Sequence, residues 1–157
     1  RLIMPLANVI SPLLDFVIAF CVLLVLMAFY GIAPSWKMLV IPPLMVISAL
    51  LALSIGLWLG PINVRFRDIK HTLPFIIQIW MYASPIVYPL SMVPAQWQGL
   101  YSLNPMVGVI EGFRWAVFNQ GEPNFAALAV SGVVIIFLLA GGLVFFRRME
   151  RTFADVI

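Results

Sequence analysis

Long apolar segments separated by short polar ones run through the whole sequence. About 20 consecutive apolar residues form a helix that crosses the hydrocarbon core of a bilayer, because an α-helix rises about 1.5 Å per residue. Four segments approach or exceed that length, and they predict an all-α, polytopic membrane helical bundle with four transmembrane helices. The predicted spans cover residues 2–30, 38–61, 73–88 and 125–146, within one domain over residues 1–157.

A charge-free run continues after the third predicted span as far as Ile110. The run is too long for one straight crossing, and Pro94 and Pro105 interrupt it, since proline disrupts the interior of a helix. We therefore expect two short helices that form a re-entrant or interfacial hairpin over residues 94–118. The second helix should begin at Asn104 and Pro105, because Asn is a favourable N-cap and Pro suits the first helical position.

The composition is that of a membrane protein. Hydrophobic residues make up 64% of the chain, charged residues make up 10%, and the mean hydropathy is +1.10, whereas a soluble domain is about 25% charged. The basic residues form no continuous face, so nucleic acid is not expected as a partner. The single cysteine, Cys21, can form no internal disulfide.

The sequence contains no set of residues that suggests catalysis. His71 is the single histidine, so a Ser/His/Asp set elsewhere in the chain is excluded. It has no cysteine or second histidine beside it, so a typical metal site is not expected. No glycine-rich phosphate-binding loop is present. We therefore expect no catalytic residue, no metal and no cofactor bound by this chain.

The densest cluster of charges lies at residues 63–71, between the second and third predicted spans. An Arg, Lys or Asp at the centre of a bilayer costs about 2.5–3.5 kcal/mol, so this stretch should form an aqueous loop. Its polar members include Asn63, Arg65, Arg67, Asp68 and Lys70.

The distribution of the basic residues predicts the orientation of the chain. With four crossings, seven of the nine Lys and Arg residues share one side of the membrane, and Lys37 and Arg114 share the other. Cytoplasmic loops carry the excess of Lys and Arg, so both ends of the chain and the 63–71 loop should be cytoplasmic. The hairpin should then lie on the outer face.

Three polar features of the apolar sequence each have two interpretations. Asp15 shares one face of the first span with Asn8 and Ser11, and it is either a group that lines a path or a structural acid satisfied by another helix. Glu111 and Arg114 are three residues apart, and they form either a modest surface ion pair or a pair that fixes the hairpin as a gate. The aromatic residues of the third span and the hairpin form either an interfacial belt or a sugar-stacking surface. They are Trp80, Tyr82, Tyr88, Trp97, Tyr101 and Trp115.

Two glycine pairs, each with a spacing of four residues, indicate close helix packing. Gly56 and Gly60 lie near the end of the second span, and Gly108 and Gly112 lie on the second short helix. Small residues at this spacing let two helix backbones approach each other closely. For the first pair, a chance occurrence in apolar sequence is the alternative.

Five motifs follow one another in a characteristic order. They are NVRFRDIKH at 63–71, YASPIVYP at 82–89, LNP at 103–105, IEGFRW at 110–115 and FFRRMERTFAD at 145–155. Together they resemble the membrane subunit of ABC type-2 exporters. The closest resemblance is to the branch that exports polysaccharides and polyol phosphates, such as O antigen, capsule and teichoic acid.

This resemblance implies a transporter rather than an enzyme. Members of the family have six spans, act as dimers in the bacterial plasma membrane and pair with a separate nucleotide-binding subunit that binds ATP and Mg²⁺. A polymer, usually attached to a lipid carrier, passes between two copies of the membrane subunit. On this resemblance the sequence holds spans three to six, and the first two spans and the main coupling helix would precede Arg1.

The resemblance also implies roles for individual residues. Residues 63–71 would contact the ATPase through Asn63, Arg65, Arg67, Asp68 and Lys70, with positive-inside anchoring as the alternative. The hairpin would close the channel on the outer side, with Trp97, Tyr101, Asn104, Pro105, Glu111 and Arg114 as its functional residues. Residues that could line the channel are Asp15, Gln78, Trp80, Tyr82 and Tyr88.

Two other functions remain open. The first is that of an ABC type-2 permease for a drug, a lipid or a lipo-oligosaccharide. The second is that of a membrane-embedded transferase that acts on lipid-linked sugars. The transferase would need clustered acids near the membrane face, whereas Asp68 stands alone among basic residues.

Overall fold

The computed structural model describes residues 3–66, 68–118 and 124–154, and the side chains of residues 12–64, 66, 68–118 and 124–149. These residues form α-helices and two 3-10 turns, with no strand among them. The prediction of an all-α membrane bundle is therefore confirmed. The helices are α1 (Ile3–Phe29), α2 (Ile41–Arg65), α3 (Ile69–Ala83), α4 (Ala95–Ser102), α5 (Pro105–Phe118) and α6 (Phe125–Ala154), and the 3-10 turns are Trp36–Val40 and Leu90–Met92.

Three of the four predicted spans correspond to helical segments that are long and apolar enough to cross a membrane. They are Pro12–Phe29 in α1, Trp36–Val64 in α2 and its preceding turn, and Phe125–Met149 in α6. The helix of the last span continues to Ala154, past the predicted end at residue 146, because residues 147–154 contain no proline or glycine that would end it.

The third predicted span, residues 73–88, corresponds to α3, which is shorter and begins earlier. The helix has 15 residues, so it is about 22 Å long, whereas the hydrocarbon core is about 30 Å thick. It ends at Ala83 because Pro85 disfavours the helical conformation at the residue before it, and Ser84 is extended, with φ −103° and ψ 139°. A membrane crossing by this segment stays a prediction.

Residues 63–71 do not form the long aqueous loop expected from their charges. Helix α2 continues to Arg65 and α3 begins at Ile69, whose N–H donates to the carbonyl of Phe66 at 3.2 Å. The expectation of a loop was wrong. Charged side chains require an aqueous environment, but residues at a helix end outside the hydrocarbon are hydrated just as residues in a loop are. Arg67 and the side chain of Arg65 lie outside the described residues.

The centre of the bundle is the contact between α2 and α6. The indole N–H of Trp58 donates to the carbonyl of Leu138 at 2.9 Å, and its ring stacks on Phe145 with centroids 5.1 Å apart. A Cβ at Gly141 would lie 2.9 Å from the Trp58 ring, so the missing side chain makes room for the indole. Helices α2 and α6 are thus joined in part by one aromatic residue and the small residues opposite it.

Helix α5 packs into this core through its glycine pair. A Cβ at Gly108 would lie 2.5 Å from the carbonyl oxygen of Ala127 and from Oγ of Ser131 on α6. A Cβ at Gly112 would lie 3.1 Å from the side chain of Leu44 on α2. The predicted close packing of this glycine pair is confirmed.

The other glycine pair has no such role within the described chain. No described atom outside the pair's own helical turn lies within 4 Å of a Cβ built at Gly56 or at Gly60. The two outermost helices are α1, which packs against α2, and α3, which has no buried residue and contacts chiefly α2.

Candidate functional site

The chain between α3 and α4, residues 84–94, is called the linking segment below. It holds only the short 3-10 turn Leu90–Met92, yet Ser84 and Pro85 at its start are buried. Backbone that leaves a helix at membrane depth must find partners in the protein or in a water-filled cavity. Four backbone groups of the linking segment find their partners in two side chains of α5.

Arg114 satisfies several carbonyl groups of the linking segment at once. Its Nη2 donates to the carbonyl oxygens of Pro85 at 3.1 Å, Ile86 at 3.4 Å and Tyr88 at 3.4 Å. A guanidinium is planar and carries five N–H donors in fixed directions, which suits several acceptors on one side. The cation also lies just past the carboxyl end of α3, where the helix dipole favours positive charge.

Glu111 completes the contact from the same face of α5. Its Oε1 lies 2.6 Å from Nη1 of Arg114 and accepts a hydrogen bond from the backbone N–H of Leu90 at 3.3 Å. The side chains of Arg114 and Glu111 are only 26% and 23% exposed. Glu111 and Arg114 therefore contact both each other and the linking segment.

Asn104 adds a third polar contact at the start of α5. Its Oδ1 accepts from the N–H of Met106 at 3.0 Å, and Pro105 is the first residue of the helix, so the predicted helix start is confirmed. Its Nδ2 donates to Oγ of Ser84 at 2.9 Å. One amide side chain thus caps α5 and holds the first residue of the linking segment.

An open aromatic groove of about 470 Å³ lies between the linking segment and α4. The hydroxyl of Tyr88 donates to the carbonyl of Tyr82 at 2.9 Å and lies 3.2 Å from the hydroxyl of Tyr101. Trp97 on the groove wall is 52% exposed. The groove is lined by Tyr88, Met92, Val93, Pro94, Trp97 and Tyr101.

The structure separates the other aromatic residues from this groove. Trp115 lies against Lys37, whose Nζ is 4.8 Å from the ring centroid, so it joins α5 to the turn before α2. On α3, Gln78 and Tyr82 share one face, while Trp80 stands about half a turn away at 100° per residue. The six aromatic residues therefore do not form one continuous surface.

The remaining predicted site residues lie apart from the linking segment. Asp15 is exposed on α1, next to Phe16, whose ring lies 5.5 Å from that of Phe113 on α5. The side chains of Asn8 and Ser11 lie outside the described residues.

The charged turn, the name used below for residues 63–66 and 68–71 at the junction of α2 and α3, lies at the opposite end of α3 from the linking segment. Asn63, Asp68 and Lys70 are all exposed there. The fifteen residues of α3 place this turn about 22 Å from the contacts made by Arg114.

Sequence reasoning missed the partners of the ion pair. Arg114 and its carbonyl acceptors are 26 to 29 residues apart in sequence, and no periodic pattern reports such a contact. One available signal was the presence of the charged pair Glu111 and Arg114 in a stretch that is otherwise free of charge from Thr72 to Phe118. Within the described part of the chain, no three His, Cys, Asp or Glu side chains come together as metal ligands would.

Comparison with known proteins places this geometry in context. The family described as ABC-2 type transporter matches residues 2–118. The chain is 30% identical to the O-antigen export system permease protein RfbA of Myxococcus xanthus over 158 residues, which cover 99% of this chain and 60% of that protein.

Two further relatives carry different names. The inner membrane transport permease YadH of Escherichia coli K12 is 31% identical over 107 residues, which cover 68% of this chain and 41% of that protein. The polysialic acid transport protein KpsM of Escherichia coli is 26% identical over 123 residues, which cover 78% of this chain and 44% of that protein. The chain spans about three fifths of the length of the O-antigen export permeases that it matches.

Proposed function

This chain belongs to the ABC-2 type transporter family, and from that membership we propose that it is part of a permease for lipid-linked polysaccharide or polyol phosphate polymer. The permease would move the polymer across the bacterial plasma membrane. The observation that carries this proposal is the 30% identity to an O-antigen export permease over 99% of the chain. The long apolar helices, which make the chain a multi-pass membrane protein, support it.

ATP hydrolysis belongs, on this proposal, to a separate nucleotide-binding subunit that holds ATP and Mg²⁺. The charged turn is the proposed contact, because Asn63, Asp68 and Lys70 are exposed at the junction of two helices. Arg65 and Arg67 belong to the same proposed contact. Both ends of the chain would be cytoplasmic, as the excess of basic residues favours.

The polymer path is proposed to lie between two copies of the permease. Gln78 and Tyr82 share an exposed face of α3, and the Tyr82 carbonyl accepts from the hydroxyl of Tyr88, which lines the aromatic groove. Aromatic faces suit the apolar faces of sugar rings, and the two tyrosine hydroxyls add hydrogen-bonding groups. Asp15 on α1 remains a candidate for the same path, and Trp80 would face elsewhere.

The hairpin of α4 and α5 is the proposed outer closure of this path. Its support is the packing of α5 against α2 and α6 through Gly108 and Gly112, together with the polar contacts that α5 makes to the linking segment. A short helix pair anchored in this way closes a path without crossing the membrane itself.

The test is deletion and complementation of the full-length gene, with purification of the full-length protein in mild detergent. We expect loss of an envelope polymer on deletion, and a stoichiometric nucleotide-binding subunit in the purified complex. An intact envelope polymer together with a bound ATPase would favour the alternative of a permease for a drug, a lipid or a lipo-oligosaccharide. The similarity to YadH, whose name specifies no polymer, is the reason to keep that alternative.

Absence of any nucleotide-binding partner would contradict both transporter assignments. A transferase acting on lipid-linked sugars would then need acids that lie close together. Among the described side chains, Asp15, Asp68 and Glu111 lie on α1, on the charged turn and on α5.

A further inference from the structure

Helix α3 is attached to the rest of the described chain mainly at its two ends. At one end α3 begins at Ile69, four residues after the end of α2 at Arg65. At the other end the linking segment is held by Asn104, Glu111 and Arg114. Between these ends no residue of α3 is buried, so little packing within the chain opposes its displacement.

Helix α5, in contrast, packs closely against α2 and α6. Gly108 lies so close to α6 that no Cβ fits, and Gly112 lies against Leu44 of α2. Residues Pro105, Val107, Val109 and Ala116 of this helix are also buried. The side chains that leave α5 toward the linking segment therefore connect α3, which buries no residue within the described chain, to a tightly packed helix.

We propose that Glu111 and Arg114 form a mechanical joint, through which a displacement of α3 is transmitted to the hairpin of α4 and α5. This inference rests on the proposed function, in which α3 is displaced at the charged turn by the partner subunit. The two residues act through the linking segment, so they are positioning residues that need not touch the polymer.

The geometry explains why the joint is stiff. Three carbonyls of the linking segment converge on one nitrogen of Arg114, and the other terminal nitrogen is held by Glu111 at 2.6 Å. Glu111 also binds the N–H of Leu90. Both ends of the turn from Pro85 to Leu90 are thus tied to one face of α5, so the turn moves with α5 as a unit.

Arg114→Lys and Arg114→Gln separate the contribution of geometry from that of charge. Lys keeps the charge but offers one compact ammonium group, which lacks the planar fork that reaches several acceptors. Glu111→Gln keeps an oxygen that accepts from Leu90 and from Arg114 but removes the charge. The joint predicts that Arg114→Gln is most damaging, Arg114→Lys is intermediate and Glu111→Gln is mild.

The experiment uses the full-length permease with its ATPase subunit, reconstituted in vesicles. Export in Arg114→Gln should fall by at least about tenfold, the factor expected for losing a hydrogen bond to a charged group, while ATP hydrolysis stays within about twofold. Lys37→Gln is the matched control, because it removes the other polar contact of α5, to Trp115, and should leave export within about twofold.

Spin-label distances report the coupling itself. In a Cys21→Ala background, one label pair joins Ile79 on α3 to Ile136 on α6, and a second joins Leu100 on α4 to Ile136, all at exposed positions. On ATP binding, both distances in the unmodified joint should change by about 2 Å or more, the size of a domain rearrangement. In Arg114→Gln the α3 distance should still change and the α4 distance should not.

Two results would overturn the proposal. One is normal export by Arg114→Gln, and the other is an α4 distance that still follows α3 in that variant. If Arg114→Gln does not assemble, the same two distances in Arg114→Lys decide, and equal changes in both would contradict the joint. If the unmodified protein binds no ATPase, the proposed function fails. The joint is then tested without nucleotide, and it predicts that Arg114→Lys broadens the distribution of distances between labels at Ile79 and Leu100.

Discussion

Single side chains in this protein satisfy backbone carbonyls that regular secondary structure satisfies elsewhere. Where α3 stops at Ala83, the next carbonyls would in a longer helix bind N–H groups of the following turn. Here Pro85 prevents that turn, and Arg114 supplies the donors instead. A charged side chain that is largely removed from water is expensive unless it is paired. Arg114, which is 26% exposed, pairs with Glu111 and satisfies backbone carbonyls in the same place.

Helices α5 and α6 approach each other closely because Gly108 has no side chain. Gly108→Ala would place a Cβ 2.5 Å from the Ala127 carbonyl oxygen and from Oγ of Ser131, so α5 and α6 must separate. We expect a loss of about 1–3 kcal/mol in the free energy of unfolding, as for other overpacked sites. The measurement is the unfolding transition of the full-length protein in detergent.

Gly132→Ala is the matched control for this prediction. Gly132 lies on α6 beside Ser131, and no described atom outside its own helical turn would meet its Cβ within 4 Å. Because alanine favours helix over glycine by up to about 1 kcal/mol, this variant should be neutral or slightly more stable. Equal destabilisation by both variants would show that the close approach at Gly108 is not what sets the cost.

At the scale of elements, the pairing of α2 with α6 depends on one indole. Trp58→Phe keeps an aromatic ring against Phe145 but removes the N–H that binds the Leu138 carbonyl at 2.9 Å. The unfolding free energy should fall by about 0.5–1.5 kcal/mol, the usual net contribution of one hydrogen bond. Trp36→Phe is the control, since Trp36 is exposed at the start of its 3-10 turn. An unchanged stability in Trp58→Phe, within the error set by Trp36→Phe, would contradict this account.

Elements with local signals could be predicted from the sequence, and elements defined by distant contacts could not. The start of α5 follows from Asn104 and Pro105, because a cap and a first-turn proline act within a few residues. The start of α3 was misplaced because charge was taken to indicate a loop at residues 63–71, although charge excludes only hydrocarbon. The ion pair was found, but its acceptors near Pro85 and Leu90 were not, because that contact joins segments separated by a whole helix.

At the scale of the whole molecule, the placement of the basic residues predicts the orientation in the membrane. We expect a membrane-impermeant maleimide to label Asp68→Cys from the cytoplasmic side only, and Gln96→Cys on α4 from the outer side only, in a Cys21→Ala background. Both positions are exposed in the described chain. Labelling of both from the same side would mean that α3 does not cross the membrane, which its length of about 22 Å makes a real alternative.

The sequence alone leaves two roles open for the charged turn, contact with the ATPase and positive-inside anchoring. A substitution can separate them, because the two roles respond oppositely to added positive charge. Asp68→Lys raises the positive charge of the turn, so positive-inside anchoring would be unharmed. A specific contact with the ATPase would instead lose a matched charge, and like charges at an interface cost several kcal/mol. We therefore expect Asp68→Lys to lower recovery of the ATPase with the full-length permease by about tenfold or more, while the amount of membrane-inserted protein stays unchanged.

Lys37→Glu, on the opposite predicted side, is the control and should leave ATPase recovery unchanged. Normal ATPase recovery and export in Asp68→Lys, combined with loss of insertion in Lys70→Glu, would assign the turn to anchoring and place the contact elsewhere in the protein.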